Sequence, residues 1–359
     1  MSKQWRVGVV GVGSIAKLGH LPFYRDHPDV DLVAVADVNL TRAHAVGEEY
    51  GMTRIYGDAL QMFDAKEVEA VSICTDNESH VPLAIAAMER GIHVLVEKPL
   101  ATRFADARRV EEVANRTGCL CMVGMTHRYR NEAQALHKVV RSGALGEIYY
   151  AKARILRRRG TPAGWFTNRQ KSGGGTLMDI GVHALDLGWW LMGEPTLASA
   201  SGILVKGIGR YDTKMVDRWK SSDAANQDNA IFDVEDFAAA LVRFEGGSAL
   251  QLEVSWALNG RQDDALQVEV FGSKGGISLS PLCVFGEQAG FLAESQLSVD
   301  GNSWYQDEIG HFIDCLQDGT SPLSTVQQGV HVVEMLETIQ RSASAGFEVR
   351  KVDERGHRG

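Results

Sequence analysis

Five apolar runs recur within the first 125 residues: Val7-Gly8-Val9-Val10, Leu32-Val33-Ala34-Val35-Ala36, Ala70-Val71-Ser72-Ile73, His93-Val94-Leu95-Val96 and Leu120-Cys121-Met122-Val123. None of them shows a polar face. Strands of this kind are covered on both sides, as in a parallel sheet. Between the runs lie helical patterns, such as Val81, Ala84, Ile85 and Met88, stopped by Gly91. Strand and helix in regular alternation predict a doubly wound α/β domain over residues 1–125.

After residue 126 the texture changes. Leu250, Leu252, Val254, Trp256 and Leu258 alternate with Gln251, Glu253, Ser255 and Ala257, and Leu266, Val268 and Val270 alternate with Gln267 and Glu269. A period of two predicts antiparallel strands with one covered face. Helices near 180–192 and 328–345 are expected to cover it. Residues 126–359 therefore read as an α+β domain on a large open, mainly antiparallel sheet. Residues 206–233 are polar, show little periodicity and read as a long loop without an assigned role.

Composition excludes several function classes. Lys and Arg number 37 against 46 Asp and Glu, a net charge of −9, which speaks against nucleic acid or an anionic membrane as the main partner. No apolar run reaches the 18 or so residues of a membrane-spanning helix. The N-terminus enters the first strand without a signal-type apolar region, so a cytoplasmic location is expected. Cys74, Cys119, Cys121, Cys283 and Cys315 have no metal-ligand or disulfide-framework spacing and read as reduced thiols.

The first strand leads into Gly11-Val12-Gly13-Ser14-Ile15-Ala16, a GxGxxA turn ahead of a helix. Gly11 permits the tight turn, Gly13 lets the backbone approach a pyrophosphate, and Ala16 allows close helix–strand packing. The helix N-terminus offers free N–H groups to the phosphates. The second strand ends in Asp37, a residue able to accept hydrogen bonds from ribose hydroxyls and to repel a 2′-phosphate. NAD is the expected cofactor. Arg42 keeps NADP open, since it can be either a solvated helix residue or a partner for a 2′-phosphate.

Glu97-Lys98-Pro99 follows the fifth strand, at the sheet edge where ligands bind in such folds. Pro99 biases Lys98 away from helical dihedrals. A second segment runs Gly173-Gly174-Gly175 and then Asp179, His183 and Asp186. The glycines are expected to let backbone pass close to a planar ring. Asp179 and His183 are four apart, on one helix face, where a carboxylate can orient an imidazole for proton transfer. The same residues also suit a helix cap and a core histidine. Asp179, His183 and Asp186 lack the further ligand a metal site would need, so no metal is expected.

Together these residues carry a resemblance. Gly11-x-Gly13-x-x-Ala16 with His20-Leu21-Pro22, Asn77-x-x-His80, the segment from Gly91 to Pro99, Gly143-x-Leu145-Gly146-Glu147-Ile148, Gly173 to Asp186, and Val234-Glu235-Asp236 resemble the Gfo/Idh/MocA oxidoreductases nearly end to end. The resemblance implies a Rossmann domain followed by a sheet domain used for homodimer or homotetramer contacts. It implies that Ser14, Ile15, Thr75, Asn77, His80, Glu97 and Lys98 join Gly11, Gly13 and Asp37 around the cofactor. It also implies that Lys98 hydrogen-bonds the reacting oxygen, His183 moves the hydroxyl proton, and Asp179 holds the substrate or the imidazole. One departure stands out: the family's Thr-Pro-Asn reads Thr75-Asp76-Asn77 here.

On the substrate side, Arg154, Arg157, Arg158 and Arg159 precede Trp165. They read as a solvated strand end or as a rim where Trp165 stacks on a sugar. Arg128, Tyr129 and Asn168 are further candidates. The leading expectation is an NAD-dependent dehydrogenase acting on a secondary hydroxyl of a sugar, cyclic polyol or sugar derivative. A redox-neutral enzyme that oxidises a sugar transiently, and a non-catalytic dinucleotide sensor, are the alternatives.

Overall fold

A computed structural model describes residues 3–207, 209, 231–261, 263 and 265–351. The expected loop at 206–233 lies largely outside the described residues. The chain divides into two units. The first takes the chain through Tyr129 together with Ser303–Val333, and the second takes the described residues of 130–302 with the chain from Glu334.

The first unit is built on strands β1 (Trp5–Val10), β2 (Val30–Ala36), β3 (Arg54–Tyr56), β4 (Ala70–Ile73), β5 (His93–Glu97) and β6 (Cys121–Gly124), all parallel, in the order β3-β2-β1-β4-β5-β6. The apolar runs fold this way because both of their faces are buried: Val7, Val9, Val71, Ile73, Val94 and Val96 have no exposed surface. The short strand β3 has no apolar run and is exposed or half-buried throughout, so periodicity gives no sign of it. The strand order reverses between β1 and β4. In open α/β sheets this switch point, at the carboxyl ends of the strands, is where ligands bind.

The helix Trp304–Asp318 belongs to this unit, although it comes from the part of the sequence expected in the second domain. Its Ile309, Phe312, Ile313 and Leu316 share a core with Val7, Val9, Val35, Leu95 and Tyr24. Each such side chain stabilises the fold by about 1.5–3 kcal/mol on burial. Beyond it, Thr325 pairs antiparallel with Met122, Val123 N–H donates to the Ser324 carbonyl (3.0 Å), and the Ser324 hydroxyl donates to the Val123 carbonyl (2.6 Å).

The second unit carries a nine-stranded mixed sheet of β7 (Ile148–Leu156), β8 (Leu197–Val205), β9 (Phe237–Phe244), β10 (Ala249–Ser255), β11 (Gln267–Gly272), β12 (Gly276–Ser278), β13 (Cys283–Gln288), β14 (Phe291–Gln296) and β15 (Val349–Arg350), in the order β14-β13-β12-β11-β7-β10-β9-β8-β15. Every pairing is antiparallel except that of β7 with β10. The expected alternation is visible in β10, where Leu250, Leu252 and Val254 are buried while Gln251 and Glu253 are half-exposed. The covering helix Val182–Leu191 is buried along almost its whole length, and Trp190 stacks on His137 at 4.0 Å.

The five cysteines are free, with Cys119 alone half-exposed. Burial pushes the Cys121 thiol up to about 12. Among the described residues no helix is long and apolar enough to cross a membrane.

Candidate active site

Strand β1 ends at Val10 and the chain turns at Gly11 with φ +79°. A Cβ there would stand 2.8 Å from the Cys74 carbonyl oxygen, so both the dihedral and the space select glycine. Val12 N–H donates to Asp37 Oδ2 at 2.9 Å, which ties the loop to the end of β2. The following helix opens with a π turn, Ala16–His20, a rare form often found at functional sites.

Asp37 also accepts from Asn39 N–H (2.8 Å), Arg42 Nε (3.0 Å) and Arg42 Nη2 (2.7 Å). The guanidinium is neither a solvated helix residue nor a cation held apart from Asp37. It forms a bidentate pair whose two side chains are only 16% and 3% exposed. A glycine turn that no side chain can fill, opening a helix beside a carboxylate at the mouth of β2, fits a bound dinucleotide.

Lys98 follows β5, on the same carboxyl edge of the sheet as the glycine turn, with a cis peptide bond to Pro99. Its backbone N–H donates to Glu97 Oε2 at 3.2 Å. The other oxygen of Glu97 accepts from His20 Nε2 at 2.9 Å, and His20 Nδ1 lies 3.1 Å from Ser72 Oγ, itself 2.7 Å from the Tyr24 hydroxyl. Burial alone would raise the Glu97 carboxyl, but the His20 hydrogen bond and nearby positive charge outweigh it and hold Glu97 below its ordinary range.

Glu308, from the helix Trp304–Asp318, has no exposed surface. Its Oε2 accepts from Thr126 Oγ1 at 2.8 Å, and its Oε1 has no hydrogen-bond partner among the described residues. Burial, reinforced by the Glu97 charge, pushes this carboxyl well up. Both effects favour its neutral form.

The loop after β4 is held from its own side chains. His80 Nδ1 donates to the Pro99 carbonyl at 2.8 Å, and burial lowers its basicity. Asp76 caps the helix Asn77–Met88 by accepting from Ser79 N–H (3.2 Å) and Ser79 Oγ (2.9 Å). Asn77 is buried, whereas Ser14, Ile15 and Thr75 are half-exposed. Arg128 is wholly buried, with Nη1 donating to the Leu323 carbonyl (2.8 Å) and Gln328 Oε1 (2.9 Å). The Tyr129 hydroxyl is buried 3.8 Å from Met122 Sδ. Both are therefore packed inside the first unit.

In the second unit Gly174 and Gly175 pack against protein. A Cβ on Gly175 would overlap the Glu235 carbonyl oxygen. Glu235 Oε1 accepts from Gly175 N–H (2.7 Å) and Leu177 N–H (3.2 Å), so a buried carboxyl caps the segment that carries Asp179 and His183. Burial raises the Glu235 carboxyl.

Asp179 lies in a second π turn, Leu177–Gly181, which runs into the helix with His183. Asp179 is 7% exposed, and its Oδ2 accepts from Trp256 Nε1 at 2.9 Å. In sequence Trp256 looks like one more apolar position of an alternating strand. Nothing there marks it, or Glu235, as a partner of the Asp179–His183 segment.

Trp165 stacks on Phe166 at 4.0 Å, and the Asn168 side chain caps a short helix by accepting from Gln170 N–H (3.0 Å). Arg157 is half-buried and its N–H donates to the Ser255 carbonyl. Arg154 and Arg159 hold Gln267 and Asn259 respectively.

The parallel sheet, its glycine turn and the acid at the end of β2 define a dinucleotide-binding α/β protein. Residues 5–125 match the oxidoreductase family with NAD-binding Rossmann fold named Gfo/Idh/MocA, and residues 133–278 match the C-terminal domain of the same family. The chain is 32% identical over 352 residues to the D-glucoside 3-dehydrogenase of Escherichia coli strain K12, covering 97% of this chain and 98% of that protein. It is 24% identical over 332 residues to the scyllo-inositol 2-dehydrogenase (NAD(+)) of Bacillus subtilis strain 168, covering 90% of each. Among solved structures, levoglucosan dehydrogenase in complex with NADH and levoglucosan superposes with a TM-score of 0.83 at 21% identity, over 98% of this chain and 100% of that one. The chain belongs to the Gfo/Idh/MocA family of oxidoreductases.

Proposed function

We propose that this protein is an NAD-dependent dehydrogenase that oxidises a secondary ring hydroxyl of a glycoside or a related cyclic polyol, or reduces the matching ketone. The observation that carries this reading is the parallel strand order, which sets the glycine turn after β1 and Lys98 after β5 on one edge of the sheet. The similarity to a D-glucoside 3-dehydrogenase over nearly the whole chain supports the choice of a glycoside.

A nicotinamide held by the glycine turn and Asp37 would supply the hydride acceptor or donor. The chain's own groups do the rest. Asp37 would hold the adenosine ribose hydroxyls and disfavour a 2′-phosphate, which would select NAD. Lys98, anchored through its backbone to Glu97, donates a hydrogen bond to the reacting oxygen and favours its deprotonation. His183 takes the hydroxyl proton in oxidation and gives it back in reduction, and Asp179, fixed by Trp256, orients the ring or the substrate.

The test is the absorbance of reduced nicotinamide when the protein and NAD are offered methyl glucosides, inositols, aldoses and sugar acids. A rise with the glycosides is expected. Lys98→Met and His183→Ala should each lower turnover by about 10²-fold or more while NADH binding persists. Wild-type turnover in either variant refutes the role given to that residue. Consumption of a glycoside without net NADH would transfer the protein to the redox-neutral reading.

A further inference from the structure

We propose that His20 is a positioning residue for Lys98, acting through Glu97. The inference rests on the reading of Lys98 as the group that meets the reacting oxygen. It begins from an oddity of the first unit: a line of polar side chains crosses a core that apolar packing would fill at lower cost.

His20, Ser72 and Tyr24 have no exposed surface, and Glu97 is 6% exposed. An ionised Glu97 offers only lone pairs, so His20 Nε2 must carry the proton of the 2.9 Å bond. The other ring nitrogen lies against Ser72 Oγ, whose second contact is the Tyr24 hydroxyl. Rotating the imidazole would break two buried hydrogen bonds together, so its orientation is determined.

Glu97 is boxed in as well. On the neighbouring strand its partner in register is Gly124. One oxygen is occupied by His20 and the other by the Lys98 N–H. Through these contacts the polar line reaches the sheet edge at the main chain of Lys98. A misplacement of about 1 Å in a reacting group can cost 10²-fold in rate, so such bracing has a functional consequence.

The origin of His20 adds a second consequence. It ends the π turn Ala16–His20, whose first residues follow directly on the glycine loop, and Lys17 N–H in that turn donates to the Gly13 carbonyl at 3.2 Å. The loop that receives pyrophosphate and the anchor of Lys98 are thus two ends of one short turn. The titratable groups around Glu97 are His20 from that turn, Lys98 beside it, Cys74 after β4, His80 from the next helix, and Tyr305 and Glu308 from the helix Trp304–Asp318.

The experiment compares wild type, His20→Leu, His20→Gln and Glu97→Gln. Lys98 acetylation by acetic anhydride is read by peptide mass spectrometry against exposed Lys152, without substrate or cofactor. NADH affinity is read by fluorescence titration, and turnover on whichever offered sugar produces NADH. In His20→Leu, Lys98 labelling should rise severalfold relative to Lys152 and kcat should fall by about tenfold or more, with NADH affinity unchanged. His20→Gln, whose amide can still donate to Glu97, should return both towards wild type.

Glu97→Gln, which sets an amide N–H against one of the two donors, should free Lys98 in the same way and stands in if His20→Leu does not fold. Unchanged labelling with unchanged kcat overturns the proposal. So does a parallel loss of Tm, NADH affinity and turnover, which would mark His20 as packing only. If Lys98→Met retains turnover, the role of Lys98 fails instead, and the labelling arm still decides whether His20 holds it.

Discussion

Glu308→Gln should make the protein's stability less sensitive to alkali, by an amount that follows from one buried oxygen pair. Glu308 is wholly buried, accepts from Thr126 on one oxygen and faces the negative charge of Glu97. Its carboxyl therefore stays protonated in the folded chain above the ordinary value of 4.5, while in the unfolded chain it ionises there. The folded state then binds more protons, so stability falls as pH rises above that ordinary value and continues to fall until the folded value is reached. Glutamine has no proton to lose. Each pH unit in the window is worth about 1.4 kcal/mol, so wild type should lose stability with rising pH relative to Glu308→Gln throughout it.

Urea unfolding of both proteins at pH 5, 6 and 7 measures that difference. Any constant offset, from the amide's own unmatched N–H groups, cancels in the slope. A difference that does not change with pH would show that Glu308 ionises alike in both states, and the picture of a neutral acid beside Glu97 would fall.

Three further outcomes are expected. Asp37→Ser, by releasing Arg42 and removing the ribose-facing charge, should shift the ratio of NADPH to NADH affinity towards NADPH by about tenfold or more in fluorescence titrations; an unchanged ratio refutes the cofactor argument. Gly175→Ala should destabilise by about 3 kcal/mol or more in thermal or urea unfolding, because its methyl overlaps the Glu235 carbonyl, whereas Gly301→Ala, with open space at its Cβ, should stay within about 0.5 kcal/mol. Trp256→Phe should cost about 1–3 kcal/mol by leaving Asp179 without its indole donor, and should lower kcat more than it raises KM; wild-type kcat would show that Trp256 merely packs.

What could be seen in the sequence follows from how local its cause is. The strands β1, β2, β4, β5 and β6 are legible because burial on two faces demands a continuous apolar run, and the turn at Gly11 because a positive φ demands glycine. Strand β3 is not, since edge residues that are exposed or half-buried need no pattern. Among the candidate residues, type and spacing single out Lys98, Asp179 and His183, but not what holds them. Glu235 meets Gly175 across 60 residues and Trp256 meets Asp179 across 77, and a carboxylate or an indole carries no mark of so distant a partner. Arg42 shows the same limit at short range: its nearness to Asp37 is plain, yet its choice of Asp37 over solvent depends on how the turn between them folds.

The return of Ser303–Val333 to the first unit bears on how the chain is made. The nucleotide-binding sheet leaves its last strand at Gly124, but Met122 and Val123 acquire their outer partners only from Ser324 and Thr325, and the apolar core is completed by Ile309, Phe312 and Ile313. At about 5–20 residues per second, a ribosome needs roughly 10–40 s to travel from one segment to the other. Throughout that interval the nascent sheet has an open edge and an uncovered apolar face, the combination that invites misassembly and chaperone capture. A stop codon before residue 303 would leave the glycine turn intact in sequence and its supporting core unfinished, so truncation should abolish nucleotide binding far from any residue that touches nucleotide.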